Sequence, residues 1–506
     1  MESRTQEPTS LAATGVAGLD DVLRGGLPRR RLYLLEGDPG AGKTTLAMQF
    51  LMEGAHRGEA GLYVTLSETK EELLAVAASH GFSLDGIQIC ELITMEEAIR
   101  AQAENTIFHP AEIELGQLTR AVLDEVERSH PRRLAFDSLS EMRLLAQSPL
   151  RYRRQILALK QFFSGRDCTM LFLDDRTGPV GDLQVHSIAH GVIALEHLAP
   201  SYGAERRRLR ITKLRGSAYR GGYHDFRIRT GGLDVYPRLV AAEHQGETRV
   251  ERLHTGDDAL DGLLGGGLDW GTSTLLLGPA GTGKSTMATR VALAAIAQGH
   301  KAAYFAFDES VTTLRLRSAG VGLSLEEVIA SEKLHLQQVD PAEMPPGEFA
   351  VCVRGAVERG ARTVVIDSLN GYMHAMPEER FLTIQLHELL TYLGQKGVLT
   401  ILIVGQQGFM GAGLVTPFDA SYLADTVILF RFYEAEGSLR QALSVVKKRR
   451  GTHEKGIREL SIGPTGITIG PELSLYRGVF TGVPVPLRKN GHETELAKPG
   501  TGTPHA

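Results

Sequence analysis

Two segments of the chain follow the pattern G-x-x-x-x-G-K-[ST]: Gly37-Asp38-Pro39-Gly40-Ala41-Gly42-Lys43-Thr44 and Gly278-Pro279-Ala280-Gly281-Thr282-Gly283-Lys284-Ser285. Each segment directly follows a short apolar run and precedes a helical pattern, the context in which such a pattern forms a phosphate-binding loop. Glycines let backbone N–H groups close around a polyphosphate without obstruction by a Cβ atom. The two segments therefore predict two nucleotide sites.

Within each loop, the lysine is expected to reach the β- and γ-phosphates, and the hydroxyl residue after it to bind Mg²⁺. The alternative is a pair of glycine-rich turns that bind no nucleotide, which the repetition with correct flanking elements disfavours. The residues that we predict to bind ATP are Gly37, Gly40, Ala41, Gly42, Lys43, Thr44, Thr45, Gly278, Gly281, Thr282, Gly283, Lys284, Ser285 and Thr286.

The chain repeats itself at a constant offset of 241 residues, which relates Lys43 to Lys284 and Thr14-Gly15 to Thr255-Gly256. Later landmarks drift slightly, but their order is kept. Two homologous domains are therefore predicted, at residues 1–240 and 241–485, followed by a polar tail at 486–506.

Short apolar runs alternate with helical patterns in both halves. This alternation predicts α/β domains in which a mainly parallel sheet is covered by helices on both faces. The predicted strands are Leu32–Leu35, Leu62–Leu66, Leu134–Phe136, Met170–Leu173, Val192–Leu195, Thr274–Leu277, Ala303–Phe307, Val364–Ile366, Leu399–Val404 and Val427–Phe430.

Carboxylates follow the strands at the same edge as the phosphate loops, where ligands of such sheets bind. Asp137 and Asp367 end apolar strands and are predicted to orient the Mg²⁺ shell, with a helix N-cap as the alternative. Glu68, Asp308 and Glu309 follow the second strand of each half and are candidates to activate water. Helix-capping or solvated acids are the alternative for these three.

Two Lys-x-Arg-Gly segments occupy matching positions, with Lys213 and Arg215 in the first and Lys448 and Arg450 in the second. Cations two residues apart on a strand face the same way and can meet one anionic group. In multimeric ATPases such cations often reach the γ-phosphate of a neighbouring subunit. A solvated basic edge strand is the alternative.

Composition excludes several classes of protein. The 506 residues carry a net charge of −5, so no general electrostatic attraction to DNA or anionic membranes is expected. No run of about 18 apolar residues predicts a membrane span, and the N-terminus does not resemble a signal peptide. Cys90, Cys168 and Cys352 lie far apart, which favours a reducing compartment. A cytoplasmic protein is expected.

In this combination of motifs, the chain resembles the KaiC family of RecA-type ATPases over nearly its whole length. The resemblance implies two tandem RecA-like domains, a homohexameric ring of two tiers, and ATP at the subunit interfaces. It also implies slow ATP hydrolysis in the first domain, and hydrolysis with autokinase and autophosphatase activity in the second. The four cations above would act on the ATP of a neighbour.

The chain departs from the family pattern at two places. The acidic pair after the second strand is Ser67-Glu68 in the first domain and Asp308-Glu309 in the second. The adjacent Ser-Thr acceptor pair of the clock proteins is Ser421-Tyr422 here, so Ser421 is the predicted phospho-acceptor, with Tyr422 and Thr416 as weaker candidates. An ordinary loop hydroxyl is the alternative for Ser421.

Two other functions are alternatives to an ATPase and autokinase that signals to an unidentified protein partner. Basic runs at 29–31, 206–208 and 447–450 suit a nucleic-acid-dependent ATPase, but the net charge disfavours it. The lone carboxylate beside Ser67 suits a nucleotide-gated scaffold with little turnover. No metal other than Mg²⁺ is expected, because the histidines show no ligand spacing.

Overall fold

The computed structural model describes residues 10–92, 110–175, 184–200, 203–244, 246, 251–374, 382–406, 422–479 and 484–486. The chain forms two compact units: Met1–Leu239 with Ala342–Val351, and Val240–Pro341 with Cys352–Ala506. In the ranges given above, no helix combines the length and the apolar character needed to cross a membrane.

The first unit is built around a sheet of nine strands. The strands of this part of the chain are β1 (Leu11–Ala12), β2 (Leu27–Pro28), β3 (Leu32–Gly37), β4 (Gly61–Thr65), β5 (Ile87–Glu91), β6 (Arg133–Asp137), β7 (Thr169–Asp175), β8 (Gly191–Leu198), β9 (Arg206–Leu214), β10 (His224–Arg229) and β11 (Gly232–Tyr236). The helices are α1 (Ala17–Val22), α2 (Lys43–His56), α3 (Lys70–Ser79), α4 (Pro110–Ser129), α5 (Leu139–Ala146), α6 (Pro149–Phe163) and α7 (Gln184–Ile188).

The strand order in this sheet is β11-β10-β9-β8-β3-β7-β6-β4-β5. The six strands from β8 to β5 pair in parallel, as the near-continuous apolar runs predict. Strands β9, β10 and β11 extend the sheet with antiparallel pairs. The only part of this extension that the sequence predicted is a strand holding Lys213 and Arg215; Lys213 lies in β9, but β9 ends at Leu214, so Arg215 lies beyond the strand.

The second unit repeats this architecture. Its strands are β12 (Arg252–Leu253), β13 (Leu268–Asp269), β14 (Ser273–Gly278), β15 (Lys301–Ala306), β16 (Leu334–Gln338), β17 (Ala361–Asp367), β18 (Leu399–Gly405), β19 (Thr426–Ala435), β20 (Ser438–Lys448), β21 (Arg458–Gly463), β22 (Gly466–Glu472), β23 (Tyr476–Arg477) and β24 (Val485–Pro486). The helices after the short 3₁₀ turn Ala241–His244 are α8 (Asp258–Leu263), α9 (Lys284–Ala297), α10 (Val311–Gly320), α11 (Glu326–Ala330), α12 (Pro346–Glu358), α13 (Leu369–His374) and α14 (Leu382–Gln395).

The nine-stranded sheet of this unit has the order β16-β15-β17-β18-β14-β19-β20-β21-β22. It is again parallel from β16 to β19 and antiparallel beyond. The prediction of two tandem RecA-like domains, each with a mainly parallel sheet flanked by helices, is confirmed.

Both faces of each sheet are packed. On β3, Tyr33 and Leu35 lie in one apolar cluster, whereas Leu32 and Leu34 lie in another. Since successive side chains of a strand point to opposite faces, the two clusters cover the two sides of the sheet. This explains why the central strands read as continuous apolar runs in the sequence.

The last glycine of each phosphate loop ends the turn that leads into a helix. Gly42 has φ 95° and Gly283 has φ 93°, values that favour glycine, and α2 and α9 begin at the following lysines. A Cβ at these positions would approach Ile228 to 2.7 Å and Ile462 to 2.5 Å. The backbone conformation therefore favours glycine at both positions, and an added Cβ would in addition require the isoleucine side chain to shift.

Candidate functional site

A cavity of about 630 Å³ lies at the phosphate loop of the first domain. Its lining includes Gly40, Gly42, Lys43, Thr44 and Thr45 from the loop. Glu68, Asp137, Asp175 and Arg207 face the same space from other strand ends. The carboxyl edge of the parallel sheet thus gathers the predicted phosphate-binding residues and the predicted acids in one place, as expected for this fold.

Lys43 is buried at the floor of this cavity, with 8% of its side chain exposed. Its Nζ donates to the carbonyl oxygens of Gly37, at 2.9 Å, and Asp38, at 3.0 Å. A carboxylate oxygen of Asp175 lies 2.6 Å from the same nitrogen. Sequence analysis did not single out Asp175.

Asp137 is the carboxylate nearest to the loop hydroxyl. Thr44 Oγ1 donates to its Oδ2 at 3.1 Å, and the hydroxyl of Tyr63 donates to the same oxygen at 2.5 Å. Burial raises the pKa of Asp137, and these two hydrogen bonds oppose the rise. Burial of the Tyr63 side chain, together with the negative charge of Asp137, raises the pKa of Tyr63 well above its ordinary value.

The hydroxyl of Thr44 and the carboxylate of Asp137 fit Mg²⁺, which binds hard oxygen ligands and usually keeps several waters. One hydroxyl and one carboxylate supply a partial coordination shell that phosphate oxygens and water would complete. Thr44 and Asp137 are therefore the residues that would hold the ion in the first domain, and Ser285 and Asp367 in the second.

Glu68 is half-buried in the first cavity. Its Oε2 is buried, and no residue of the described chain donates a hydrogen bond to it. Burial, followed by the negative charge of Asp137, raises the pKa of Glu68. A carboxylate with a raised proton affinity that faces a phosphate site has the properties of a proton acceptor.

The second domain has a cavity of about 600 Å³ at the equivalent place. Lys284 lines it and donates to the carbonyl oxygen of Pro279 at 2.6 Å. Burial lowers the pKa of Lys284 to about 8. Asp367, whose pKa burial raises, accepts hydrogen bonds from Ser285 and from Tyr304, the latter at 2.5 Å. The arrangement of lysine, hydroxyl, aspartate and tyrosine is thus the same in both domains.

The acidic pair of the second domain is held differently from Glu68. Glu309 forms an ion pair with Arg317, with 2.6 Å between Oε1 and Nη2. Nη1 of Arg317 also lies 3.3 Å from the hydroxyl of Thr286. Asp308 accepts a hydrogen bond from the hydroxyl of Ser368. The second domain therefore has two carboxylates at this edge, of which one is paired with a cation.

Several predicted loop residues lie behind the cavity surface. Gly37 and Gly278 end strands β3 and β14. Ala41 belongs to the apolar core, and the buried hydroxyl of Thr282 donates to Pro279 O at 2.8 Å. These four residues shape the loops from within, whereas Gly281, Gly283 and Thr286 face the second cavity.

Comparison with known proteins agrees with this geometry. The sequence pattern of the family described as "ATPase: KaiC" matches residues 12–240 and again residues 253–474. The chain belongs to the KaiC ATPase family. The resemblance predicted from the motifs is confirmed, and membership implies ATPase activity and nucleotide binding.

Relatives match over almost the whole chain. The "Circadian clock oscillator protein KaiC" of Picosynechococcus sp. is 26% identical over 479 residues, which cover 93% of this chain and 92% of that protein. The protein of the same name from Thermostichus vulcanus is 26% identical over 493 residues, covering 96% and 93%.

The four cations expected from KaiC proteins to act on a neighbour do not line either cavity of their own chain. Lys213 donates to His186 O and Arg215 to Ser187 O, while Arg450 is exposed. Lys448 is different, because its side chain is 1% exposed and donates to Leu264 O and Gly267 O. In this structure, Lys448 is directed into its own domain.

Two of the candidate phospho-acceptors, Ser421 and Thr416, lie outside the described residues. Tyr422 is described and is 48% exposed.

The basic runs considered for nucleic-acid binding are largely engaged inside their own domains. Arg29 pairs with Glu59, Arg208 with Glu196, and Arg449 with Asp425. Arg207 pairs with Glu205 and also lines the first nucleotide cavity. These pairs account for much of the positive charge without a nucleic acid.

Sequence reasoning missed Tyr63, Tyr304, Asp175 and Arg317. The two tyrosines lie at the offset of 241 residues, so the repeat could have revealed them. Asp175 and Arg317 have no such signal, because Gly405 and Val76 take the matching positions. Only the fold places them beside a phosphate loop.

Proposed function

We propose that both domains bind ATP with Mg²⁺ and hydrolyse it to ADP and phosphate. The observation that carries this proposal is the convergence, in each cavity, of the loop lysine with a hydroxyl-aspartate pair at the carboxyl edge of the sheet. Bound Mg²⁺ would supply charge neutralisation at the phosphates.

The protein's own part in the reaction is to position the phosphates and to accept a proton from the attacking water. Lys43 and Lys284 bind the phosphates. Glu68 is the proposed base of the first domain, because no described residue donates a hydrogen bond to its Oε2 and because its pKa is raised. In the second domain, Asp308 and Glu309 share this edge of the site.

The test is ATP turnover by the chain carrying both Lys43→Met and Lys284→Met. Turnover is expected to be lost, because each substitution removes the cation that holds the phosphates. Lys301→Met is the matched control, since Lys301 is exposed at the start of β15 and lines neither cavity. Undiminished phosphate release by the double variant would overturn the assignment.

We further propose a homohexameric ring in which Lys213, Arg215 and Arg450 act on the ATP of a neighbour, whereas Lys448 is bound inside its own domain. Subunit mixing tests this in a Lys284→Met background, where only the first site remains. Chains with Lys43→Met and chains with Arg215→Ala should each be inactive alone. Mixed rings should recover part of the turnover, because some interfaces then combine an intact loop with an intact arginine. No recovery from rings shown to have mixed would contradict action in trans.

The second domain is also proposed to phosphorylate its own chain at Ser421. Labelling with γ-labelled ATP and Mg²⁺ should mark the wild type and not Ser421→Ala. Phosphate release without any label on the wild type would leave an ATPase whose signal is its nucleotide state alone. In either case we propose a cytoplasmic protein that signals to a protein partner or serves timing, as the names of its relatives suggest.

A further inference from the structure

The two nucleotide sites differ at one position beside the phosphate loop. In the first sheet, Gly37 of β3 pairs with Asp175 of β7. In the second sheet, Gly278 of β14 pairs with Gly405 of β18. Asp175 and Gly405 therefore take the same place in the two sheets, but one position carries a carboxylate and the other has no side chain.

Asp175 uses this position to bind the loop lysine. Its Oδ1 lies 2.6 Å from Lys43 Nζ, and the Asp175 side chain is 29% exposed toward the cavity that both residues line. With the carbonyl oxygens of Gly37 and Asp38, the carboxylate completes three acceptors for the three N–H groups of the ammonium. The first-domain lysine is thus fully engaged inside the protein.

Lys284 has no such competitor at position 405. The acceptor that the structure gives its Nζ is the carbonyl oxygen of Pro279, at 2.6 Å. A carbonyl carries no net charge, so the charge of Lys284 is available to phosphate oxygens.

We propose that Asp175 is an affinity-determining residue, an internal anion that competes with the phosphates of the nucleotide for Lys43. To bind phosphate oxygens, Lys43 must exchange its contact with Asp175 for them, and the displaced carboxylate stays close to the polyphosphate. Like charges brought together across a binding site oppose binding. Asp175 therefore lowers the affinity of the first site for ATP. This inference rests on the proposed function that both sites bind ATP.

The chain offers substitutions in both directions. Asp175→Asn removes the charge while keeping the shape of the side chain. Gly405→Asp introduces a carboxylate at the matching place, where a Cβ would meet Asn370 at 3.8 Å, an ordinary contact distance. Asp174→Asn is the matched control, because Asp174 pairs with Arg143 and accepts from Ser140 and does not line the cavity.

Binding of a fluorescent ATP analogue to the full chain, with Mg²⁺, separates the two sites. In a Lys284→Met background, Asp175→Asn should lower the Kd of the first site by about tenfold, and Asp174→Asn should leave it unchanged. In a Lys43→Met background, Gly405→Asp should raise the Kd of the second site by about tenfold. A thermal melt of each variant shows whether it is folded.

The outcomes are distinguishable. The inference would be overturned if the Kd of the first site in folded Asp175→Asn equalled or exceeded the Kd measured with Asp175 in place. It would also be overturned if the first site bound no nucleotide with either aspartate or asparagine at position 175 while the second site bound it. Binding that appears only with Asp175→Asn would support it. Absence of nucleotide binding in both backgrounds would instead overturn the proposed function.

Discussion

Each site depends at the residue scale on buried polar groups that hold one another. Asp137 and Asp367 are each bound by a loop hydroxyl and by a tyrosine from a neighbouring strand. Groups that hydrogen-bond to a metal-binding carboxylate fix its orientation. The tyrosines are therefore part of the site although they do not line either cavity.

Tyr63→Phe combined with Tyr304→Phe should raise the Mg²⁺ concentration needed for half-maximal ATP turnover by about 10-fold or more. The reason is that each aspartate loses the hydrogen bond that orients it. A Mg²⁺ titration at saturating ATP measures the effect. Tyr33→Phe is a control, since the Tyr33 hydroxyl donates to Pro28 O, away from either aspartate. An unchanged Mg²⁺ requirement in the double variant would exclude this role.

A second prediction at this scale concerns pH and His224, which is fully buried. Burial lowers its pKa from 6.5 to about 4, and its Nδ1 accepts a hydrogen bond from Arg238 N. Between these pH values the unfolded chain binds a proton that the folded chain does not. Stability is therefore lost as pH falls from about 6.5 towards 4, by up to about 3 kcal/mol.

Urea unfolding of the wild type and of His224→Gln between pH 7.5 and 5 tests this. The variant should lose part of the pH dependence, because glutamine does not titrate. His190, whose pKa burial also lowers to about 4, should account for some of the dependence that remains. Identical pH dependence in the two proteins would contradict the assignment to His224.

At the scale of elements, the antiparallel extension of each sheet positions the helix before the phosphate loop. In the first domain, α1 lies so close to β11 that a Cβ on Gly18 would be 1.9 Å from Val235 O. At the matching position the second domain has Ala259, so a Cβ is accommodated there. The close approach is thus specific to the first domain.

Gly18→Ala is expected to destabilise the first domain by about 2–3 kcal/mol, because the added methyl group must push α1 from β11. Gly262→Ala, in the matching helix α8, has nothing within 4 Å of the added Cβ and should be neutral or slightly stabilising. Urea unfolding measures both. Equal free energies of unfolding for Gly18→Ala and the wild type would contradict this prediction, because they would show that α1 shifts without loss of stability.

For the whole molecule, the important feature is that each cavity is lined by residues of one unit, within the part of the chain that the structure describes. Two compact units with separate loops can bind nucleotide independently. The units are alike in their strand order and differ in single side chains such as Asp175 and Arg317. Differences between the two domains therefore come from residues and not from architecture.

Calorimetric titration with ATP should give two sites per chain in the wild type and one site in either Lys43→Met or Lys284→Met. Each substitution removes the lysine proposed to bind the phosphates in its own domain alone. The control Lys301→Met should keep two sites. Loss of all binding in either single variant would contradict independent sites.

Much of the fold and site could be predicted because the signals are local. Continuous apolar runs indicate strands buried on both faces, and the G-x-x-x-x-G-K-[ST] segments indicate phosphate loops. Because parallel strands end at one edge, the acids after them could be placed near the loops. The offset of 241 residues between Lys43 and Lys284 then indicated two such domains.

The sequence alone thus determined the two phosphate loops, their hydroxyls and the acids at the strand ends. Only the tertiary structure decided that Tyr63 binds Asp137, 74 residues away, and that Asp175 holds Lys43. These contacts depend on which strands lie side by side and on the direction of each side chain. Neither follows from a local pattern, because strand order is set by how the whole sheet packs.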